Sequence, residues 1–367
     1  MSSPRRTPLH EVHESLGATF TEFAGWRMPL RYSGDTAEHH AVRTAAGLFD
    51  LTHMGELRIS GPQAAEALDH ALVAKASGIK PGRARYTMLC DERGGVLDDL
   101  IVYRLTEQEY LVVANAANAA VVAAELAERV GGFDAEFADV SEEYALLAVQ
   151  GPRAAAILAP LTDTDLTEVK YFAGYRSAVA GHPVLLARTG YTGEDGFELF
   201  TAPGDAAAIW QALTEAGAEH ELRPAGLSCR DTLRLEAGMP LHGHELSTEL
   251  TPFHANLGRV VKLDKPGDFV GKAALAAVAE QPTARTLVGL TTDQRRAPRH
   301  GYRVLDDAGT EVGEVTSGAP SPTLGHPVAM AYVDRAHSAP GTALQVDIRG
   351  RTAPVEVVEL PFYRRNA

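Results

Sequence analysis

The stretch Gly94-Gly95-Val96-Leu97-Asp98-Asp99-Leu100-Ile101-Val102-Tyr103 sets two carboxylates inside an otherwise apolar run. Its length and composition are those of a buried β-strand. Burying an ionised carboxylate is costly unless partners compensate it, so the surrounding fold must supply those partners. Side chains alternate along a strand, so Asp98 and Asp99 point to opposite faces and cannot share a proton. Asp99 lies with Leu97, Ile101 and Tyr103, whereas Asp98 lies with Val96, Leu100 and Val102. Apolar residues on both faces predict a central strand. A second apolar run at 110–115 follows the turn Thr106-Glu107-Gln108. If that turn is tight, paired residue numbers sum to about 214 and Asp99 faces Asn115. A carboxylate beside a carboxamide suits a flat heterocycle carrying N–H and C=O groups. Asp98 is then left with a structural, loop-tethering role.

Around this hairpin, 96–105 with 110–115, the chain mixes strands and helices. Leu48–Leu51 and Glu56–Ile59 read as strands flanking His53-Met54-Gly55. Gly61-Pro62 then opens a helix, with proline in the first turn. The same strand–glycine–proline–helix pattern returns at Gly151-Pro152. Helices are expected at 117–130, 205–217 and 225–237. A second hairpin at 184–189 and 197–200 encloses Thr189-Gly190-Tyr191-Thr192-Gly193-Glu194-Asp195-Gly196. Three glycines in eight residues predict positive φ angles or a close approach to a ligand. Beyond Gln281-Pro282-Thr283 the texture becomes short β-runs at regular spacing, the mark of a small barrel or sandwich. Hairpin-joined strands mixed with helices make the body α+β rather than doubly wound.

The composition bounds the function. With 45% hydrophobic and 22% charged residues, and no apolar run of spanning length, no membrane segment is expected. A net charge of −14 argues against nucleic acid as the main partner. Cys90 and Cys229 are far apart, so no disulfide framework is expected and cytoplasmic thiols are the simplest reading. No apolar segment follows Arg5-Arg6, so no secretory signal is expected. Arginine greatly outnumbers lysine and alanine is abundant, as in a bacterial genome rich in G and C.

Further candidates stand apart from the hairpin. Glu198 is a carboxylate inside the apolar strand Gly196–Phe200, and Tyr191 in the glycine loop can stack on an aromatic ligand. Arg230 and Arg234 lie four apart on one helix, a spacing that suits a ligand carboxylate or, equally, intrahelical ion pairs. The histidines at 10, 13, 39, 40, 242 and 244 fit no zinc spacing. No phosphate loop, dinucleotide fingerprint or serine elbow is present. ATP, NAD and serine-hydrolase chemistry therefore lack support.

Eight motifs in register resemble a known family: Thr7-Pro8-Leu9, Phe23-Ala24-Gly25-Trp26-Arg27-Met28-Pro29-Leu30, Phe49-Asp50-Leu51-Thr52-His53-Met54-Gly55, the Gly94–Leu100 stretch, Arg188–Glu198, Arg230–Glu236, Thr316-Ser317-Gly318 with Ser321–Gly325, and Pro361-Phe362-Tyr363-Arg364. From about residue 7 to 365 the chain resembles the aminomethyltransferases, the T-proteins of the glycine cleavage system (EC 2.1.2.10). The resemblance implies an α+β protein with a three-domain cloverleaf-like arrangement around a central folate channel and a C-terminal β-barrel or jelly-roll-like domain. Its boundaries would be 1–52 plus 140–244, 53–139 plus 245–281, and 282–367. It implies transfer of an aminomethyl group from the lipoyl arm of H-protein to tetrahydrofolate. The products would be 5,10-methylenetetrahydrofolate, ammonia and the dihydrolipoyl arm. No metal, flavin or nucleotide is implied, and the location would be the bacterial cytoplasm.

By the same resemblance Asp99 is the critical acid. Tyr86 and Asn115 would line the pterin pocket with Tyr191 close by, and Glu198 would bond the pterin ring. Arg230 would bind the folate, Met54 would lie against it, and Arg364 would sit near its glutamyl tail. Related folds leave three other readings: a folate-binding module of a flavin dehydrogenase, a folate-binding accessory protein of iron–sulfur assembly, and a demethylase of methylated sulfur compounds. The first lacks its dinucleotide fingerprint here and the second its cysteine motif. The third would differ in its product, methyl- rather than methylene-folate.

Overall fold

The protein is described by a computed structural model covering residues 3–365. The fully apolar run at 145–149 becomes the strand Ala145–Gln150, buried at every position. It sits inside a six-stranded sheet ordered Gly174–Val179, His182–Ala187, Gly196–Thr201, Ala145–Gln150, Ala46–Asp50 and Leu222–Pro224. Neighbours are antiparallel except the last pair. Helices Ala154–Leu158 and Ala206–Gly217 close its core, where Ile157, Ile209, Trp210 and Leu213 join Leu147, Val149, Phe197 and Leu199. Full burial of each such side chain contributes about 2–3 kcal/mol.

A second, five-stranded sheet is ordered Arg83–Cys90, Val96–Arg104, Glu109–Ala114, Gly55–Ser60 and Glu136–Asp139. The aspartate strand is internal, as its two apolar faces require. Its pairing runs Ile101↔Val113, Val102↔Val112 and Tyr103↔Leu111, the register expected from the tight turn.

The glycine–proline echo is real as geometry, with one correction. Gly61 and Gly151 take the same positive φ, 129° and 136°. The chain then turns so that Ala64 N–H donates to Gly61 O and Ala154 N–H to Gly151 O. The helices start at Ala64 and Ala154, so the prolines belong to the turn and not to the first helical turn. A Cβ on Gly151 would lie 2.5 Å from Ala45 O, which leaves room for no other residue.

Among the described residues the chain divides into two compact units. The first is the chain up to Thr87 together with Asp99–Arg230, and the second is Met88–Asp98 together with the chain from Asp231 onward. The second unit holds a closed barrel ordered Arg285–Thr291, Pro327–Asp334, Glu311–Pro320, Arg303–Leu305, Ala343–Asp347 and Thr352–Val358. The short, regularly spaced β-runs expected beyond Thr283 are its six strands. Pairing of Gly289–Thr291 with Glu356–Val358 closes the ring, which removes the free edges a sandwich would keep. Val288, Val304, Val315, Val333, Val346 and Val357 fill the interior. No helix among the described residues is long and apolar enough to cross a membrane.

Candidate functional site

Two positions past Ile101↔Val113 the same register brings Asn115 beside Asp99. Asn115 Nδ2 donates to Asp99 Oδ1 at 2.9 Å and to its backbone oxygen at 3.0 Å. Tyr86, on the other neighbouring strand, donates its hydroxyl to Asp99 Oδ2 at 3.0 Å. Each carboxylate oxygen thus takes a donor from a different residue. Leu97, Asp99 and Ile101 are all partly exposed, whereas Asp98, Leu100 and Val102 on the opposite face are buried. The face that carries Asp99 is therefore partly open from Leu97 to Ile101 and closed at Tyr103, whereas the opposite face is core.

Glu198 is buried at the centre of the six-stranded sheet, between Ala187 and Ala148. Its Oε2 accepts a very short hydrogen bond from the Thr189 hydroxyl. It also accepts one from the Tyr103 hydroxyl at 3.3 Å. Tyr103 and Thr189 are themselves 2.8 Å apart. Burial, then the Glu198 charge, push the Tyr103 phenol well above its ordinary pKa, so it stays a donor. The Arg230 guanidinium stands over the Tyr191 ring, 4.9 Å from its centroid. Burial pulls Arg230 below its usual value while Glu198 and Tyr191 counteract that pull. A carboxylate, a guanidinium and an aromatic face thus share one electrostatic neighbourhood.

The glycine loop packs against Gln150 and is tied down by hydrogen bonds. A Cβ on Gly190 would lie 2.0 Å from Gln150 Oε1. Gln150, buried, donates to Thr189 O at 3.0 Å and accepts from the Thr192 hydroxyl at 3.0 Å. Arg43 donates to Thr192 O at 2.6 Å and to Glu194 at 2.9 Å. Arg188 grips Asp195 through two bonds of 2.9 and 2.6 Å. Only Gly193 of the three glycines has positive φ. The glycines make room for Gln150, and the loop in turn fixes Thr189 and Tyr191.

His53 and Met54 occupy the turn before strand Gly55–Ser60. Met54 is half-buried. His53 is buried, packs edge-on against Phe23 and has no hydrogen bond at Nδ1. Burial, then the Arg230 charge, lower its pKa to about 4. Its imidazole is therefore neutral at pH 7, and its electrostatic coupling to Arg230 puts it in the same neighbourhood.

The first unit thus brings together Asp99, Asn115 and Tyr86, and separately Glu198, Arg230 and Tyr191. Arg364 is exposed on the C-terminal segment of the second unit. Arg234 takes the ion-pair alternative: it is buried against Asp231 at 2.8 Å, Glu245 at 3.0 Å and Ser317 at 2.7 Å. The histidines are structural where their partners are seen. His13 bridges Asp50 and Tyr32 at 2.9 and 3.0 Å, and His242 and His244 bond backbone carbonyls. No group of three or more metal-ligating side chains occurs among the described residues. Sequence reasoning missed Tyr103, Thr189 and His53 as site residues. Tyr103 had a signal, because strand alternation puts it on the face of Asp99.

Comparison with known proteins gives two family matches. The family described as GCVT N-terminal domain matches residues 9–265, and the glycine cleavage T-protein C-terminal barrel domain matches residues 285–364. An aminomethyltransferase of Saccharopolyspora erythraea is 81% identical over the whole of both chains. One of Streptomyces coelicolor is 65% identical over 99% of this chain and 98% of the relative. The crystal structure of glycine cleavage system aminomethyltransferase T from Bartonella henselae superposes with a TM-score of 0.92 at 39% identity, covering 98% of each chain.

Proposed function

The chain belongs to the aminomethyltransferase family, the T-proteins of glycine cleavage, a family of one-carbon transferases; on that premise we propose how its own residues carry the transfer. The donor is the aminomethyl group on the lipoyl arm of an H-protein and the acceptor is tetrahydrofolate. Sulfur activates the aminomethyl carbon. Loss of ammonia leaves an electrophilic methylene, which N5 of the folate captures. Attack by N10 then releases the dihydrolipoyl thiol and closes 5,10-methylenetetrahydrofolate. No protein nucleophile is required, so the chain contributes proximity, orientation and proton management.

The observation that carries this reading is the Asp99 carboxylate held on both oxygens by Asn115 and Tyr86. A fixed carboxylate beside N5 and N10 orients the nucleophilic nitrogen and receives its proton as the C–N bond forms. Glu198 accepts from the pterin N–H edge, Tyr191 offers an aromatic face, and Arg230 binds the folate. Met54 lies against the ring system, and Arg364 takes the glutamyl tail. Sheet membership supports the three-domain division proposed for this chain. The five-stranded sheet falls within 53–139, the six-stranded sheet within 1–52 plus 140–244, and the barrel within 282–367. A cytoplasmic location follows from the same reading.

The barrel offers a docking face for the carrier. A cavity of about 380 Å³ is lined by Arg295, Arg296, Arg299 and Arg349, with Ala297, Tyr302, Pro320 and Ile348 and no acidic residue. On a chain of net charge −14 this is a local positive site, and it suits an acidic protein surface. Incubation with aminomethylated H-protein and tetrahydrofolate tests the whole reading. Ammonia and methylenetetrahydrofolate should form together. Methyl-folate, or no ammonia, would reject it.

A further inference from the structure

Tyr103, Thr189 and Glu198 form a buried hydroxyl chain that ends on a single carboxylate oxygen. The three come from three places: the aspartate strand, the first residue of the glycine loop, and the strand that follows it. Tyr103 and Thr189 are each 1% exposed, so neither hydroxyl has water as an alternative partner. Thr189 has one proton, and its very short contact gives that proton to Glu198 Oε2. Tyr103 lies 2.8 Å from Thr189 Oγ1 and 3.3 Å from Glu198 Oε2, so its own proton serves both acceptors. Among the described residues no hydrogen bond reaches Oε1 of Glu198.

We propose that Tyr103 and Thr189 are positioning residues: they saturate Oε2, fix the Glu198 carboxylate inside the sheet, and present Oε1 as the acceptor for the N–H edge of the bound heterocycle. The physical basis is immobilisation: two donors on one oxygen fix the carboxylate, so the single remaining oxygen selects a ring by the position of its N–H donors. Gln150 extends the chain of support, because its bond to Thr189 O fixes the threonine backbone. The geometry makes Thr189 the principal member, since it alone donates at close range to Glu198. Its methyl-for-hydroxyl isostere, valine, is the informative substitution, because it keeps the volume and leaves Oε2 a donor short.

The proposal rests on the reading that Glu198 meets the folate ring, and the test separates the two. Tetrahydrofolate dissociation constants are measured on the full-length chain by titration calorimetry for the wild type, E198Q, T189V, T189S and Y103F. Thr189→Val should weaken binding about tenfold, the scale of one hydrogen bond to a charged group. Thr189→Ser should restore it, and Tyr103→Phe should weaken it less than Thr189→Val. KM for tetrahydrofolate should rise while kcat, governed by Asp99, changes little. Unchanged affinity in E198Q would overturn the reading of Glu198 itself. Weakened E198Q alongside an unchanged T189V, a T189S that fails to recover, or a T189V that lowers kcat instead of raising KM would overturn the proposal alone.

Discussion

Asn115 holds Asp99 by two bonds from one nitrogen, to the carboxylate at 2.9 Å and to the backbone oxygen at 3.0 Å. The carboxamide therefore sets both the rotamer of Asp99 and the local path of its strand. Asn115→Ala should lower kcat about tenfold or more with a small change in KM, since it frees the acid without removing it. Steady-state ammonia release at saturating folate measures this. A variant with wild-type kcat would show that the bond is only structural.

The arginine-lined cavity of the barrel makes a kinetic prediction. Arg295→Glu combined with Arg296→Glu should raise KM for H-protein about tenfold and leave tetrahydrofolate affinity unchanged. The wild-type KM should also rise with salt, and the double variant should lose much of that dependence. An unchanged KM for H-protein would move the docking surface elsewhere.

His53 predicts a pH dependence of stability. Its folded-state pKa is lowered from 6.5 to about 4, first by burial and then by Arg230. Below pH 6.5 the unfolded chain binds a proton that the folded chain refuses. Stability should therefore fall as pH drops from about 6.5 to about 4, by at most about 3 kcal/mol. Urea unfolding of the wild type and His53→Asn at pH 7.5 and pH 5 checks the sign. The difference between the two proteins should shrink on acidification. A difference that stays constant would mean that His53 titrates alike in both states.

How much of this was legible in the sequence depends on the distance over which each contact acts. The Asp99–Asn115 row follows from the length of one turn and the alternation of one strand, so counting residues found it. The six barrel strands follow from turn spacing in the same way. The bond between Tyr103 and Glu198 joins residues 95 apart, on two different sheets, and no local pattern reports it. The glycine loop predicts positive φ angles or a close approach to a ligand; Gly193 has the positive φ, while the residue that crowds Gly190 is Gln150, on another strand 40 positions earlier. Arg234 matched Arg230 in spacing and parted from it only through Glu245 and Ser317, both brought in by tertiary packing. Roles assigned to Met54 and Arg364 rested on family likeness, and their surroundings add no hydrogen-bonded geometry comparable to that of Asp99.

The central claim is that Asp99 manages the reacting nitrogen of the folate. The most direct measurement is single-turnover conversion of tetrahydrofolate and aminomethylated H-protein by Asp99→Asn, with folate binding measured on the same preparation. The substitution keeps the shape and one of the two acceptor oxygens while removing the charge. The account predicts a folded protein that binds tetrahydrofolate within a few-fold of wild type and forms methylenetetrahydrofolate at least about a hundredfold more slowly. A variant that binds folate and turns over at close to the wild-type rate would contradict it.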